Sequence, residues 1–293
     1  VIYPLQQITV SGIRLQYIEV LPLQPSSDPP LFLLHQLLAT AETLSELIGH
    51  LPSERRIVAL DMLSAAPTDS APLDLTANSF STLIAQFLQA IHLDNPVVIG
   101  HSYGGDLALW LTSVHNVPLS GLVLLCPAHP FEGYRPHVVA FYLTRWGRFL
   151  ALCIPIAPRF MILWAYNQAA GPTDPITTRH LQPHLRVLRH RNTLRRVLQI
   201  LSTWEPDMDI LRKAQTAKPV TLPTLLLWGD HDEVVPPQTA RGLEAVLPAS
   251  ELITLPGCGH LLPEEAPEAC AKLIRTWLIW LKTSRVDHVR THI

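Results

Sequence analysis

Glycine is scarce in this chain, 13 of 293 residues, while proline reaches 27; average usage is about 7% and 5% respectively. Turns therefore lean on proline, and each glycine cluster marks a place where the backbone takes positive φ or comes close to another group. Cysteine is also sparse. Cys126, Cys153, Cys258 and Cys270 are too scattered for a disulfide framework or a Cys-x-x-Cys metal site, so free thiols in a reducing compartment are expected. Nor does either charge dominate. Lys plus Arg number 22 and Asp plus Glu 24, a net −2, which argues against a chain built chiefly to grip nucleic-acid phosphates.

Long apolar runs are missing, although 48% of the residues are hydrophobic and only 16% charged. The greasiest stretch, Phe141 to Tyr166, is interrupted by Arg145, Arg148, Arg159, Pro155 and Pro158. It therefore lacks the roughly 20 uninterrupted apolar residues of a membrane span. Val1 to Val10 has neither the basic start nor the apolar run of a secretory signal, and a cytoplasmic location is expected. There is no internal repeat. A chain this long can bury a sizeable core without disulfides or structural metal.

What is present begins with alternation. Ile8 and Val10, a Ser11-Gly12 turn, then Ile13, Leu15, Tyr17 and Ile18 read as two antiparallel strands. Short unbroken apolar runs follow at Leu31 to Leu34, Ile57 to Leu60, Val97 to Ile99, Leu122 to Leu125, Leu225 to Leu227 and Leu252 to Leu255, the pattern of parallel strands buried on both faces. Between them lie segments of helical period. Phe80, Leu83, Ile84, Phe87, Leu88 and Ile91 form one apolar stripe, with Asn78 or Ser79 as cap. Further helices are expected over Ala41 to Ile48, Tyr103 to Val114, Gln238 to Val246 and Pro267 to Leu281. Such alternation predicts an α/β fold with a mostly parallel, doubly wound sheet. It stops over residues 128–218, where helical patterns rich in Arg, His and Trp read as an inserted cap over the carboxyl edge of the sheet. The core is then 1–127 and 219–283, with 284–293 as a polar tail.

Three segments carry chemistry. Gly100-His101-Ser102-Tyr103-Gly104-Gly105 joins a strand to a helix, a sharp turn that would lift the Ser102 hydroxyl clear of the sheet. The Tyr103 N–H, at the helix start, would face charge developing on a bound carbonyl. A serine hydroxyl needs a base, and the base a partner. Trp228-Gly229-Asp230-His231-Asp232 and Leu255-Pro256-Gly257-Cys258-Gly259-His260 each end a strand. Either acid could serve His260, and the chain order Ser, Asp, His suits this kind of sheet.

With these motifs the chain resembles the capped, lipase-like and esterase-like members of the α/β-hydrolase fold superfamily. The resemblance covers nearly the whole chain and extends to Pro263-Glu264-Glu265-Ala266-Pro267-Glu268 after the histidine. It implies Ser102 as nucleophile, His260 as general base and Asp232 as orienter, since the acid is expected three residues after Gly229. It also implies Leu37 as donor of the second oxyanion-hole N–H beside Tyr103. Two departures stand out. His35-Gln36 replaces the usual His-Gly; a positive φ there would cost Gln36 about 1–2 kcal/mol, or its amide could serve the substrate. Asp61-Met62-Leu63-Ser64 replaces an acidic residue followed by Pro-Gly, implying an altered loop beside the site. Plant hydroxynitrile lyases share the polar replacement but have lysine after the histidine, where this chain has Leu261.

Other readings fall away. Ser102 in place of aspartate excludes dehalogenase and epoxide-hydrolase chemistry. His180 and His184 lack the glutamate of a zinc helix, and Pro183 is expected to interrupt the helix between them; no metal or cofactor is expected. The arginines from Arg179 to Arg196 read as a solvated helix face. Phe141, Trp146, Phe149, Phe160, Trp164 and Tyr166 either line an acyl pocket or pack the insertion on the sheet; Gln36, Trp146 and Phe141 are taken as substrate contacts. The expected function is hydrolysis of small to medium apolar carboxylic esters through an acyl-enzyme. The alternatives are C–C bond hydrolysis, a lyase or cyclase step with the same triad, and a ligand-binding protein without turnover.

Overall fold

The computed structural model describes residues 3–24, 26–67, 74–131, 136–173 and 176–290. Eight strands follow in chain order: β1 Leu5–Val10, β2 Ile13–Val20, β3 Leu31–Leu34, β4 Ile57–Pro67, β5 Val97–His101, β6 Gly121–Leu125, β7 Thr224–Gly229 and β8 Ser250–Leu255. They form one sheet in the order β1-β2-β4-β3-β5-β6-β7-β8. The pairs β1/β2 and β2/β4 are antiparallel, and every pairing from β4 to β8 is parallel. This is the mostly parallel α/β sheet that the strand-helix alternation predicts. All residues of β3, β5, β6 and β7 are buried, because helices cover both faces of a parallel sheet. The edge strand β8 departs from the expectation of burial on both faces: most of it is only partly covered.

The helices of the core are α1 Ser45–His50, α2 Ala77–Ala90 and α3 Tyr103–Ser113. The insertion between β6 and β7 supplies α4 Pro136–Leu143, α5 Arg145–Cys153, α6 Arg159–Asn167, α7 Thr178–Leu188 and α8 Arg191–Ala217. After β7 come α9 Ala240–Glu244, α10 Leu262–Glu265 and α11 Pro267–Arg290. In α2, Phe80, Leu83, Ile84, Phe87 and Leu88 turn into the core, as the period requires. The inserted helices also hold a small core of their own, in which Ile162 meets Leu181, Leu185, Leu188 and Leu194.

Four local expectations are corrected. Asp61 to Ser64 is strand rather than loop, because β2 offers it a partner across a bulge between Arg14 and Gln16. The cap of α2 is Thr76, whose side chain accepts from the Ser79 N–H, and Asp207 of α8 accepts from the Ala77 N–H at 3.0 Å. Pro183 sits inside α7 without ending it, where Leu181, Leu185 and Leu188 bury the same face on the cap core. Finally, α11 continues to Arg290, since extending a helix already anchored in the core requires no new nucleus; 291–293 lie outside the described residues.

Candidate active site

Ser102 lies between β5 and α3 with φ 53° and ψ −117°, a strained geometry for a residue with a Cβ. The turn holds it there by backbone bonds: the Ser102 N–H donates to the Leu125 carbonyl, while the Ser102 carbonyl accepts from Gly105 and Ala128. Gly104 has no room for a side chain, because a Cβ there would fall on the Leu34 carbonyl. The hydroxyl is thereby presented at the carboxyl edge of the sheet.

The other two motifs reach the same edge from β7 and β8. His260 Nε2 is 2.9 Å from Ser102 Oγ, and His260 Nδ1 is 2.8 Å from Asp232 Oδ2. Asp232 Oδ1 accepts from the Val234 and Val235 N–H groups at 2.8 and 2.9 Å. Both Asp232 and His260 are 3% exposed, so neither is free to reorient into water. Asp230, the rival acid, points elsewhere, accepting from His231 and from the Gly257 N–H. The chain of hydrogen bonds fixes the histidine tautomer, with Nδ1–H toward the carboxylate and Nε2 open to take the hydroxyl proton.

A supporting ring of groups escaped the sequence reading. Glu265 Oε2 accepts from the Gly171 and Gly259 N–H groups at 2.6 and 2.8 Å, and Oε1 from Leu261 at 2.8 Å. One carboxylate thus pins both sides of the His260 peptide and ties in the insertion. Burial raises its pKa above the ordinary carboxylate range, against the three N–H donors. His101 Nε2 donates to the His260 carbonyl at 2.7 Å; burial lowers its pKa to about 3, so it remains a neutral donor. His35 Nδ1 donates to the Gln36 carbonyl, and its Nε2 accepts from the Met62 N–H. The signals were present as His101 and Glu265 inside the quoted motifs, but nothing in the spacing says which atoms they meet.

The insertion grips the loop after β3 as well. His184 of α7 donates through Nδ1 to the Leu38 carbonyl, and its Nε2 lies 2.8 Å from a Glu264 oxygen. Tyr166 of α6 donates to the same Leu38 carbonyl at 2.9 Å and packs on the His184 ring at 4.2 Å between centroids. Arg186 pairs with Glu42, and Arg196 donates to the Leu63 carbonyl, so part of the basic run ties the insertion to the core rather than facing only solvent.

A cavity of about 340 Å³ opens on Ser102 and His260. Its walls are Gln36, Leu37 and Leu38 from the core, Ala165, Tyr166 and Ala169 from α6 and the turn after it, Leu201 and Trp204 from α8, and Val234 and Val235. Leu37 and Tyr103 stand beside Ser102 on this wall, and Tyr103, as the first residue of α3, has no intrahelical acceptor for its N–H. Gln36 does not take positive φ, so the strain considered for it is absent. Its Nε2 is buried with no hydrogen-bond partner among the described residues.

Phe141 and Trp146, expected as substrate contacts, are 45% and 76% exposed and stand outside this cavity. Phe149, Phe160 and Trp164 are likewise turned outward, and only Tyr166 of the six aromatics lines the cavity. The reason lies in the opposite faces of these helices. Gly147, Ala151 and Ile162 are the residues buried there, and at Gly147 a Cβ would strike the Phe141 carbonyl. The close approach of α5 to the end of α4 at Gly147 leaves the α5 rings no space on that face, while α6 turns Ile162 inward.

The sulfur of Cys126 comes within 4.8 Å of ligand atoms of Asp232 and His260. Burial holds its thiol well above the ordinary range, and the S–H donates toward the Gly259 carbonyl at 3.8 Å. Metal binding would need the thiolate and would compete for Nδ1, which already faces Asp232. All four cysteines are free.

A sheet of this order, with a serine turn after β5, an acid after β7 and a histidine after β8, defines a hydrolase scaffold. The sequence model of the alpha/beta hydrolase family matches residues 33–273, and the chain belongs to that family and is a hydrolase. It is 26% identical over 289 residues to the protein named uncharacterized hydrolase YugF of Bacillus subtilis (strain 168), covering 94% of this chain and 98% of that one. Human monoacylglycerol lipase ABHD6 is 25% identical over 267 residues, 87% of this chain and 77% of that one. The crystal structure of Cfl2 from Burkholderia cenocepacia shares the fold with a TM-score of 0.80 at 21% identity, covering 94% of this chain and 95% of that one.

Proposed function

We propose that the protein hydrolyses small to medium, largely apolar carboxylic esters through an acyl-enzyme. The observation that carries this reading is the unbroken chain Asp232–His260–Ser102, with contacts of 2.8 and 2.9 Å, opening into a cavity walled mainly by apolar side chains. Ser102 attacks the carbonyl, His260 takes the proton and returns it to the leaving alcohol, and Asp232 stabilises the imidazolium. The N–H groups of Leu37 and Tyr103 receive the developing oxyanion. The cavity volume lies at the small end of ligand sites, which favours short or medium acyl groups. The name of the human relative, a monoacylglycerol lipase, is in keeping with an apolar ester.

Hydrolysis of p-nitrophenyl esters of graded length by wild type and Ser102→Ala tests the assignment. A fall of at least about 1,000-fold is expected, and equal rates would dismiss it. The unpartnered Gln36 amide favours one second reading, in which the same triad cleaves a carbon–carbon bond beside a carbonyl that this amide holds. A covalent adduct of a slow ester on Ser102, seen in the intact mass, supports the ester reading; turnover of a β-diketone without any adduct supports the second.

A further inference from the structure

The outward face of α5 and α6 is apolar far beyond the ordinary surface. Trp146 is 76% exposed, Ile156 73%, Phe160 71% and Trp164 66%, and Phe149 and Met161 are both more than half exposed. Isolated exposed apolar residues need no explanation, whereas a contiguous patch marks an interaction surface. Trp146 and Phe149 meet edge to face at 6.4 Å, and the exposed Ile156 lies in the Ile154–Ile156 turn that leads from α5 toward α6. Phe160 and Trp164 then recur one turn apart.

The charge on this face has one sign. Residues 136–173 contain Arg145, Arg148 and Arg159 and no Asp or Glu, in a chain whose net charge is −2. All three arginines are exposed among the aromatics. A basic helical face bearing Trp, Phe and Ile is the composition of an interfacial helix. Among the described residues no single helix is long and apolar enough to cross a bilayer; α5 and α6 reach that length and apolarity only together, as a pair bent by 118°, a bend that suits a segment lying along a surface better than a straight span. A second copy of the chain fits less well, because a two-fold contact would set arginines of one sign against each other.

We infer that this face docks the protein on an anionic lipid bilayer, its aromatic and aliphatic side chains entering the headgroup region and its three arginines meeting lipid phosphates. The inference stands apart from the ester reading. It has one consequence for the cavity: Ala165 and Tyr166 of the same α6 form part of the wall, so docking sets that wall beside the lipid.

Co-sedimentation with vesicles of phosphatidylcholine alone, and with one quarter phosphatidylglycerol, tests this on the full chain. Wild type is expected to bind the anionic vesicles more tightly, and added salt to weaken that binding. Arg145→Gln/Arg148→Gln/Arg159→Gln should lose roughly fivefold in partition per arginine, on the order of 100-fold together. Phe149→Ser/Ile156→Ser/Phe160→Ser should lose at least tenfold on either vesicle. Circular dichroism and a melting curve confirm that each variant is folded, without reference to activity. Absence of wild-type binding to anionic vesicles overturns the inference, as does equal binding by folded variants. A wild-type dimer broken by the apolar triple, with no vesicle binding, overturns it in favour of self-association.

Discussion

Replacing His184 by alanine removes the partner of the Glu264 carboxylate at a site where both side chains are dry. The side chains of His184 and Glu264 are 0% and 6% exposed at a contact of 2.8 Å, and truncation leaves the Glu264 charge buried without its partner. Breaking such a pair from one side costs about 3–5 kcal/mol. At about 2–4 °C per kcal/mol for a chain approaching this size, the melting midpoint should fall on the order of 10 °C. The double variant His184→Leu/Glu264→Leu should recover most of that loss, because an apolar pair of similar volume has no charge to desolvate. Proton linkage gives a second readout. Burial draws the His184 pKa down, but the Glu264 charge, its hydrogen bond and the Leu38 carbonyl outweigh burial, so the folded value lies above the ordinary one. The unfolded ring titrates near pH 6.5. The stabilisation is therefore fully present below about pH 6.5 and is lost as pH rises through the folded value. Melting curves of wild type and His184→Ala at about pH 6 and pH 9 should show a gap that narrows toward the alkaline end. A variant that melts with wild type at about pH 6, or a gap that widens with pH, refutes the reasoning.

Glu265→Ala strips three buried N–H groups of their acceptor, at about 1–3 kcal/mol each. Urea unfolding should show a severe loss, and Glu265→Gln, which keeps one acceptor oxygen, an intermediate one with a lowered kcat from a displaced His260; an unaltered Ala variant would remove Glu265 from this role. Gln36→Ala deletes a buried donor that has no partner within the chain. If the amide serves the substrate, kcat/KM should fall between about 2- and 10-fold, the range of one neutral hydrogen bond, with no loss of stability. Unchanged kcat/KM across an ester panel would show that it makes no such contact.

The sheet was readable because its signals are local. Runs such as Leu31 to Leu34 and Leu225 to Leu227 can only be buried, and Gly104 between Ser102 and Asp106 marks a turn too tight for a side chain. The three motifs also ended their own strands, and parallel strands put those ends on one edge. Less legible were the groups that act across the chain: Glu265 on three peptides of the His260 loop and the insertion, Asp207 on the start of α2, and His184 on Leu38 and Glu264. Each is a polar residue in a helical pattern, and its partner is chosen by tertiary approach alone.

The inner face of the cap is hard to read from sequence for a related reason. Aromatic residues in an apolar insertion suggest a pocket lining, yet which face of a helix turns inward is decided by how close its backbone sits to its neighbour. In α5 that face is Gly147 and Ala151, and in α6 it is Ile162. The cavity takes its rings from Tyr166 at the end of α6 and from Trp204 on α8, which packs against Tyr103 at 5.9 Å between centroids, while Trp146, Phe149, Phe160 and Trp164 stand outside. Where α5 turns Gly147 and Ala151 inward, its largest apolar groups are left exposed. In a water-exposed monomer that arrangement is unfavourable by about 25 cal/mol for each Å² left wet. The residues that stand outside the cavity are thus the ones that the proposed bilayer contact would cover.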